Sequence, residues 1–336
     1  MNFLTPVGLP ESSIQLTPHS HTFFIGSCFS DHIGALMTES LPASQVRVNP
    51  RGPLYNPVSI RQAIVSYLPS RITQPFSEDG FFQTADGQWR HWDYSTKFSA
   101  PTREDLHALL SEEWKLSYNA FREIDTLFIT FSTDHTYRLA EGNNAGHCVA
   151  NCHKQPARLF VENVETLDSL CAMWSDLLSM LHKELPQLQI VFTLSPYRYA
   201  KYGMHENALS KARLLLLIDS LCADFDFAHY FPAYEIVLDE LRDYRFFAED
   251  MLHPSPQAVG YIWERFQQWA FTPQLCAYSK ERAALIRDIN HRPINPQSEA
   301  HQAFLRKLEE KKKAFRKKWG LGDDASLSGR RRFPAS

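Results

Sequence analysis

Five short runs carry the apolar density of buried strands: His21–Ile25 (HTFFI), Gln45–Val48 (QVRV), Thr126–Phe131 (TLFITF), Leu188–Leu194 (LQIVFTL) and Phe227–Phe231 (FAHYF). Around them apolar residues recur at three-to-four spacing. That period predicts helices over Ser30–Leu41, Val58–Tyr67, Arg103–Arg122, Val161–Leu185, His205–Ala223 and Pro256–Trp269. Strands alternating with helices predict a parallel sheet covered on both faces. TLFITF, apolar at nearly every position, suits that burial better than a half-exposed antiparallel sheet. The predicted class is therefore α/β, a three-layer α/β/α sandwich around five parallel strands. One segment, about residues 70–100, breaks the alternation; its Gly, Pro and many aromatics predict a small β excursion or a lid.

Composition narrows the class of function. The chain of 336 residues is 44% hydrophobic, ample for a sizeable core, and its net charge of -3 lacks the basic face that nucleic-acid binding needs. No run approaches the roughly 18 apolar residues of a membrane span. The first residues, MNFLTPVGLPESSIQL, have no basic n-region, and prolines interrupt their apolar positions, so no secretory leader is expected. Six cysteines are too sparse for a disulfide framework. A reduced, cytoplasmic protein without a membrane span is the expectation. The charge is uneven, however. His301–Ser336 holds 11 Lys/Arg against 4 Asp/Glu, a surplus of +7 that leaves -10 for residues 1–300. The break falls at the Pro-rich His291–Pro296, so the reading is one domain over 1–290 and a tail over 291–336. That tail is predicted as a solvated basic helix (KLEEKKKAFRKKWG) followed by a disordered end (SLSGRRRFPAS). Weak contact with an anionic surface is one use for it; docking on the core through Phe304, Leu305, Leu308, Phe315 and Trp319 is the other.

In an open α/β sheet the chemistry is expected where strands end at their carboxyl edge. The first strand ends in Gly26-Ser27-Cys28-Phe29-Ser30 and runs straight into a helix. Helix N-terminal N–H groups lower a thiol's pKa and can stabilise an oxyanion, while a buried inert cysteine is the plainer alternative. Far along the chain, Asp250-Met251-Leu252-His253 precedes the helix starting at Pro256. A carboxylate three residues before an imidazole can fix its tautomer and orientation, the base-and-orienter half of a nucleophilic triad.

Together the two motifs have the layout of SGNH/GDSL hydrolases. Several ordered blocks sharpen the resemblance to the GSCFA family, which is grouped with that superfamily: FFIGSCFSDHIG, NPRGPLYNPVSI, VANCHKQPARLF, TLSPYRYAKYGMHENALSKA and YFPAYEIVLDELRDYRFFAEDMLHP, spanning about residues 20–270. The resemblance implies a flavodoxin-like fold of the SGNH hydrolase type. Where the superfamily reads Gly-Asp-Ser, this chain reads Gly26-Ser27-Cys28, which nominates Cys28 as nucleophile and leaves Ser27 as the alternative. Asp31 falls where many superfamily members keep an acidic residue. In the second block Gly52 is the counterpart of the glycine whose N–H serves the oxyanion hole. The third block departs most: Ser132 stands at the usual Gly position with no Asn after it, and Asn151 is a substitute donor.

Other polar residues have two readings each. Asn56 either starts a turn before its helix or offers an amide to substrate. His153 either lines the pocket or makes a structural hydrogen bond; Cys148-x-x-x-Cys152-His153 lacks the second pair that a zinc site needs. Arg198 either holds a substrate carboxylate or phosphate, or pairs with the acidic stretch Glu235–Asp243. Asn207, Ser210 and Lys211 share one helical face, and Asp239–Arg245 reads as a charge network bracing the catalytic loop. The mechanism expected is acyl transfer or hydrolysis, through a covalent intermediate, on an ester or acyl substrate that is a small molecule or an acylated partner. Cys28 attacks, His253 is the base, Asp250 the orienter, and no cofactor or metal is needed. A catalytically silent module binding an acylated or glycosylated partner is the alternative from another class.

Overall fold

Successive residues of a strand face opposite sides of a sheet, and this separates the core into two halves. The computed structural model describes residues 4–11, 13–70, 76–291 and 297–321. It begins its sheet with β1 (Thr22–Gly26), followed by α1 (Cys28–Ser40), β2 (Val46–Val48) and α2 (Pro57–Val65). A hairpin of β3 (Phe81–Gln83) and β4 (Trp89–His91) precedes α3 (Arg103–Phe121) and β5 (Thr126–Phe131). A second hairpin, β6 (His135–Leu139) with β7 (Phe160–Val164), leads to α4 (Leu167–Glu184) and β8 (Gln189–Leu194). Then come α5 (Met204–Asp224), β9 (Ala228–Tyr230) and a one-turn helix, α6 (Ala233–Glu235), that runs into a π-helical turn at Ile236–Leu241. The last helices are α7 (Pro256–Ala270), α8 (Pro273–Ile289) and α9 (Glu299–Trp319).

Five of the strands form one parallel sheet in the order β2-β1-β5-β8-β9. Numbered among themselves these are 2-1-3-4-5, the flavodoxin-like order. Phe23, Ile25, Leu127, Ile129 and Phe192 pack on one face with Ile60 and Ile64 of α2, Trp174 and Leu178 of α4, and Leu214 and Leu217 of α5. Phe24, Phe128 and Val191 pack on the other face with Phe29 and Ile33 of α1, Ile262 and Phe266 of α7, and Tyr278 of α8. The result is the three-layer sandwich expected from the alternation. All five sheet strands lie within a residue or so of their predicted positions.

Two elements differ from the reading of the sequence, and a third segment takes one of its two expected forms. Val161–Val164 is strand, pairing antiparallel with β6, and the helix begins only at Leu167 behind its N-cap Thr166. Val161 and Val164 mimic a helical stripe by their spacing, but both are exposed on the hairpin. Helix α8 was not anticipated, although Thr272 caps it and Pro273 occupies its first position, a recognised start signal. The described part of the segment about 70–100 is the β3–β4 hairpin, packed through Phe76 and Tyr94 against Leu106 and Leu110 of α3; residues 71–75 lie outside the described ones.

The tail helix is α9, and it is solvated on one face only. Leu308 and Phe315 are buried, Phe304 and Trp319 half-buried, in the same core half as α8. Lys311 and Lys318 pair with Asp288 and Glu281 of α8. Most of the Pro-rich break, residues 292–296, and the predicted disordered end from residue 322 lie outside the described residues.

Candidate active site

The β1–α1 turn is locked from several sides. Gly26 has φ +146 and lies opposite Thr130 of β5; a Cβ there would sit 2.3 Å from the Thr130 carbonyl oxygen, so only glycine fits. Ser27 donates its N–H to that carbonyl at 3.2 Å. The Ser27 hydroxyl is wholly buried and caps α1, accepting from the Phe29 N–H at 3.3 Å. Asn49, just past β2, brackets the turn. Its Oδ1 accepts from the Gly26 N–H at 2.9 Å, and its Nδ2 donates to the Ser27 carbonyl at 3.3 Å and to Asp31 Oδ1 at 2.8 Å. Cys28 is therefore the first residue of α1, half-buried, with its side chain at the helix N-terminus. Burial, then the Asp31 carboxylate, push its thiol up to about 11; the N–H groups of Cys28 and Phe29 and the Lys211 amine pull the other way.

The other half of the site comes from the loop before α7. Asp250 Oδ1 accepts from the N–H groups of Leu252 at 2.9 Å and His253 at 3.0 Å, while Oδ2 meets His253 Nδ1 at 2.5 Å. Hydrogen bonds from the His253 N–H and ring hold the Asp250 carboxyl down at about 2. Nε2 of His253 has no hydrogen-bond partner among the described residues. Ser255 then caps α7, with Pro256 at its first position.

Both halves lie at the carboxyl edge of the sheet: Cys28 follows β1, and the Arg198 N–H, after β8, donates to the Leu252 carbonyl at 3.0 Å. The ring of His253 lies 4.4 Å from that of Tyr197, in the loop after β8. Burial raises the Tyr197 phenol, and both Asp250 and Cys28 add to the rise. His32, in the first turn of α1, is lowered by burial, with Asp31 opposing and His253 adding to it. Tyr197 and His32 thus each sense both the α1 terminus and the Asp250–His253 loop. No hydrogen bond joins Cys28 to His253 among the described residues.

Several expected site residues do other work. Gly52 donates its N–H to the Asn49 carbonyl at 2.7 Å, so the expected oxyanion donor is engaged; its φ of +77 and the Ser95 side chain beside it explain the glycine instead. Ser132 is buried, its N–H on the Tyr55 carbonyl at 2.9 Å. Asn56 caps α2 through Oδ1, accepting from the Ser59 N–H at 2.8 Å, while its amide NH2 has no partner among the described residues. Asn151 closes a turn by accepting from the His153 N–H at 2.7 Å. His153 is buried against Phe82 and Trp92 with Nε2 on the His91 carbonyl at 3.2 Å, the structural hydrogen bond of its two readings. Burial lowers its imidazole to about 4. Arg198 forms no ion pair with Glu235–Asp243 among the described residues; it donates to the Met251 carbonyl at 3.3 Å and lies over Tyr244 and Phe247, bracing the loop before α7. Within Asp239–Arg245 the charges work apart: Asp243 pairs with Arg245, and buried Glu240 holds Tyr261 of α7 and the Val7 N–H. Among the described residues no three His, Cys, Asp or Glu side chains converge as a metal site, Cys148, Cys152 and His153 included. A cavity of about 440 Å³ between the hairpins, lined by Trp92, Leu139, Glu141 and Arg158, contains neither Cys28 nor His253.

Two contributors escaped the sequence reading. Asn49 was given no role by the sequence, and only the fold shows that it holds the β1–α1 turn. Lys211 of α5, 1% exposed, donates from Nζ to the Ser132 carbonyl at 2.7 Å and the Ser195 carbonyl at 2.8 Å, tying together the exits of β5 and β8. Its place on a shared face with Asn207 and Ser210 was legible: Ser210 Oγ accepts from the Asp134 N–H at 3.2 Å and Asn207 from the Tyr199 N–H at 2.8 Å.

A family model described as the GSCFA family matches residues 21–266, the span that holds the whole sheet and both halves of the site. The chain belongs to the GSCFA family. A second model, the GSCFA domain protein C-terminal domain, matches residues 283–321, from within α8 through α9. No curated protein matches the sequence. Among solved structures the chain is similar to an acetyl xylan esterase (Est2A) from the rumen bacterium Butyrivibrio proteoclasticus, at 12% identity and a TM-score of 0.32. That match covers 77% of this chain and 64% of the esterase, so the GSCFA chain spans less than two thirds of it. No described helix is long and apolar enough to cross a membrane.

Proposed function

We propose that this GSCFA protein is an SGNH-type hydrolase or acyltransferase that carries an acyl group on Cys28. The observation that best supports the reading is the 2.5 Å Asp250–His253 contact, with Nε2 left open on the sheet edge that also carries the α1 N-terminus. A thiol raised to about 11 is protonated at neutral pH, so attack requires a base. His253 Nε2 takes the Cys28 proton as Sγ bonds to the substrate carbonyl carbon. The N–H of Cys28, at the helix N-terminus, faces the oxyanion. When the tetrahedral intermediate collapses, the bond to the leaving oxygen breaks and His253 returns the proton to it, leaving a thioester. Water or another acceptor then releases the acyl group by the same steps in reverse. Asp250 holds the Nδ1–H tautomer throughout. Ser27 is a poor nucleophile here, buried and engaged as the helix cap.

Intact-mass spectrometry after incubation with an activated acyl ester tests this. The expected adduct is one acyl group, mapped to Cys28, absent in Cys28→Ala and retained in Ser27→Ala. Turnover should fall about 10²–10⁴-fold in His253→Ala, the usual weight of a general base, and less in Asp250→Ala. The raised thiol also favours the silent binding module; a protein that takes up no acyl group from the activated ester, while its Cys28 can still be reached by an alkylating reagent, would support that reading instead.

A further inference from the structure

Asp250 can orient His253 only within their own loop, because both residues stand on it, the side chains of His253 and Asp250 being 43% and 44% exposed. The loop keeps its shape by internal bonds. The Ala248 N–H donates to the His253 carbonyl at 2.8 Å, and the Met251 N–H to the Ala248 carbonyl at 2.9 Å. Neither bond ties the loop to the sheet. Among the described residues outside 243–255, Arg198 alone hydrogen-bonds to Ala248–His253. Its N–H donates to the Leu252 carbonyl at 3.0 Å and its Nη1 to the Met251 carbonyl at 3.3 Å. Both bonds fall at the tightest point, where Met251 has φ +58. The neighbouring residue supplies the second contact: the Tyr197 ring lies 4.4 Å from that of His253, tilted by 43°. A histidine's last torsion has a broad well, so the tilt of the ring depends on what packs against it.

The arm that makes these contacts is itself fixed at both ends. The Ser195 N–H donates to the Phe131 carbonyl at 2.8 Å, and the Ser195 carbonyl accepts from Lys211 Nζ at 2.8 Å. Beyond the pair, the Tyr199 N–H donates to Asn207 Oδ1 at 2.8 Å. Groups whose own supports are locked can hold a third group to a fraction of an ångström. We infer that Tyr197 and Arg198 are positioning residues for the proposed base: Arg198 pins the loop to the exit of β8, and the Tyr197 ring sets the tilt of the imidazole. The inference rests on His253 being that base.

The test is turnover of p-nitrophenyl acetate by the full-length protein, with kcat and KM separated, beside the His253 Cε1–H resonance in a carbon–proton NMR spectrum. Tyr197→Leu should lose about 10²-fold in kcat, the weight of about an ångström of misplacement, with KM within about threefold of native. Tyr197→Phe keeps the ring and should recover all but about threefold of that loss. The His253 resonance should move in Tyr197→Leu, as the tyrosine's ring current is lost, and return toward its native position in Tyr197→Phe. A kcat for Tyr197→Leu within about twofold of native overturns the inference, as does an equal loss in Tyr197→Phe or a loss carried by KM alone. Should Tyr197→Leu fail to fold, Arg198→Met supplies the second measurement. It keeps the main-chain bond to Leu252 and should lose about tenfold in kcat with KM unchanged; a native kcat overturns the inference. Failure of the underlying reading looks different: His253→Ala would turn over the ester as the native protein does, while the His253 resonance would still respond to Tyr197→Leu.

Discussion

Asn49 is the most informative place to perturb the β1–α1 turn without touching Cys28, the proposed nucleophile. Its side chain is buried and makes three hydrogen bonds, to the Gly26 N–H, the Ser27 carbonyl and Asp31. In Asn49→Ala the Ser27 carbonyl keeps the Ser30 N–H as donor at 2.9 Å, so it is not orphaned. The Gly26 N–H is, at about 1–3 kcal/mol for a buried unpaired donor. Loss of the bond to Asp31, partly rehydrated, adds about 1 kcal/mol. The backbone at Asn49 has φ +41, where alanine is worse than asparagine by about 1 kcal/mol. The sum is about 3–5 kcal/mol. Asn49→Gly should recover only the backbone part, so it should be the more stable variant by about 1 kcal/mol. Urea unfolding with an unchanged m-value measures both differences, and Cys28 alkylation reports whether the turn has moved. A loss under about 1 kcal/mol for Asn49→Ala, with native alkylation kinetics, would refute the bracket.

Two more predictions concern buried groups away from the acyl chemistry. Lys211 ordinarily titrates at 10.5 and is held at about 7 in the fold, so between those values the unfolded chain binds the extra proton and stability rises with pH. The penalty is full below about pH 7 and has an upper bound of about 5 kcal/mol; urea unfolding should show the stability of Lys211→Met relative to native falling between about pH 6 and pH 9, and a pH-independent difference would contradict the burial cost. Phe315→Ala should lower stability by about 3–5 kcal/mol, seen as a lower melting temperature, because the ring is buried against Tyr278 of α8. If the melting temperature holds, the docked face of α9 contributes nothing and its basic face becomes the part to explain.

Most of the fold was legible because it rests on period. TLFITF and LQIVFTL are apolar on both faces, and a strand covered by helices on both sides has few other ways to read. The Asp250–His253 pair was legible for a different reason: the two are three residues apart, so their contact is local. What failed was non-local or disguised. Val161 and Val164 satisfy a helical stripe and a strand equally, and only the partner β6 decides between them. The Gly52 N–H looked available because nothing in the sequence shows Asn49 folding back with positive φ to accept it. Arg198 had two sensible ionic partners in sequence, yet the fold sets it over aromatic rings and a backbone carbonyl. Lys211 read as one polar residue of a helical face; that it is sealed between two strand exits is a property of the sheet order.

The raised thiol and the paired histidine are two aspects of one design. At pH 7 a thiol titrating near 11 is about one part in 10⁴ thiolate, equivalent to about 5 kcal/mol. A resting cysteine of that kind resists stray alkylation and oxidation. For attack, that deficit has to be removed at the moment the carbonyl arrives, and three arrangements around Cys28 act only then. In the proposed reaction the His253 Nε2 lone pair removes the proton, Asp250 stabilises the imidazolium that results, and the Cys28 N–H faces the charge as it moves from sulfur to oxygen. Burial raises the thiol, whereas the charge created in the proposed reaction lies among donors already in place. The same burial that makes Cys28 inert alone therefore makes it dependent on His253, and the loss on removing His253 should exceed that expected for a thiol with an ordinary pKa.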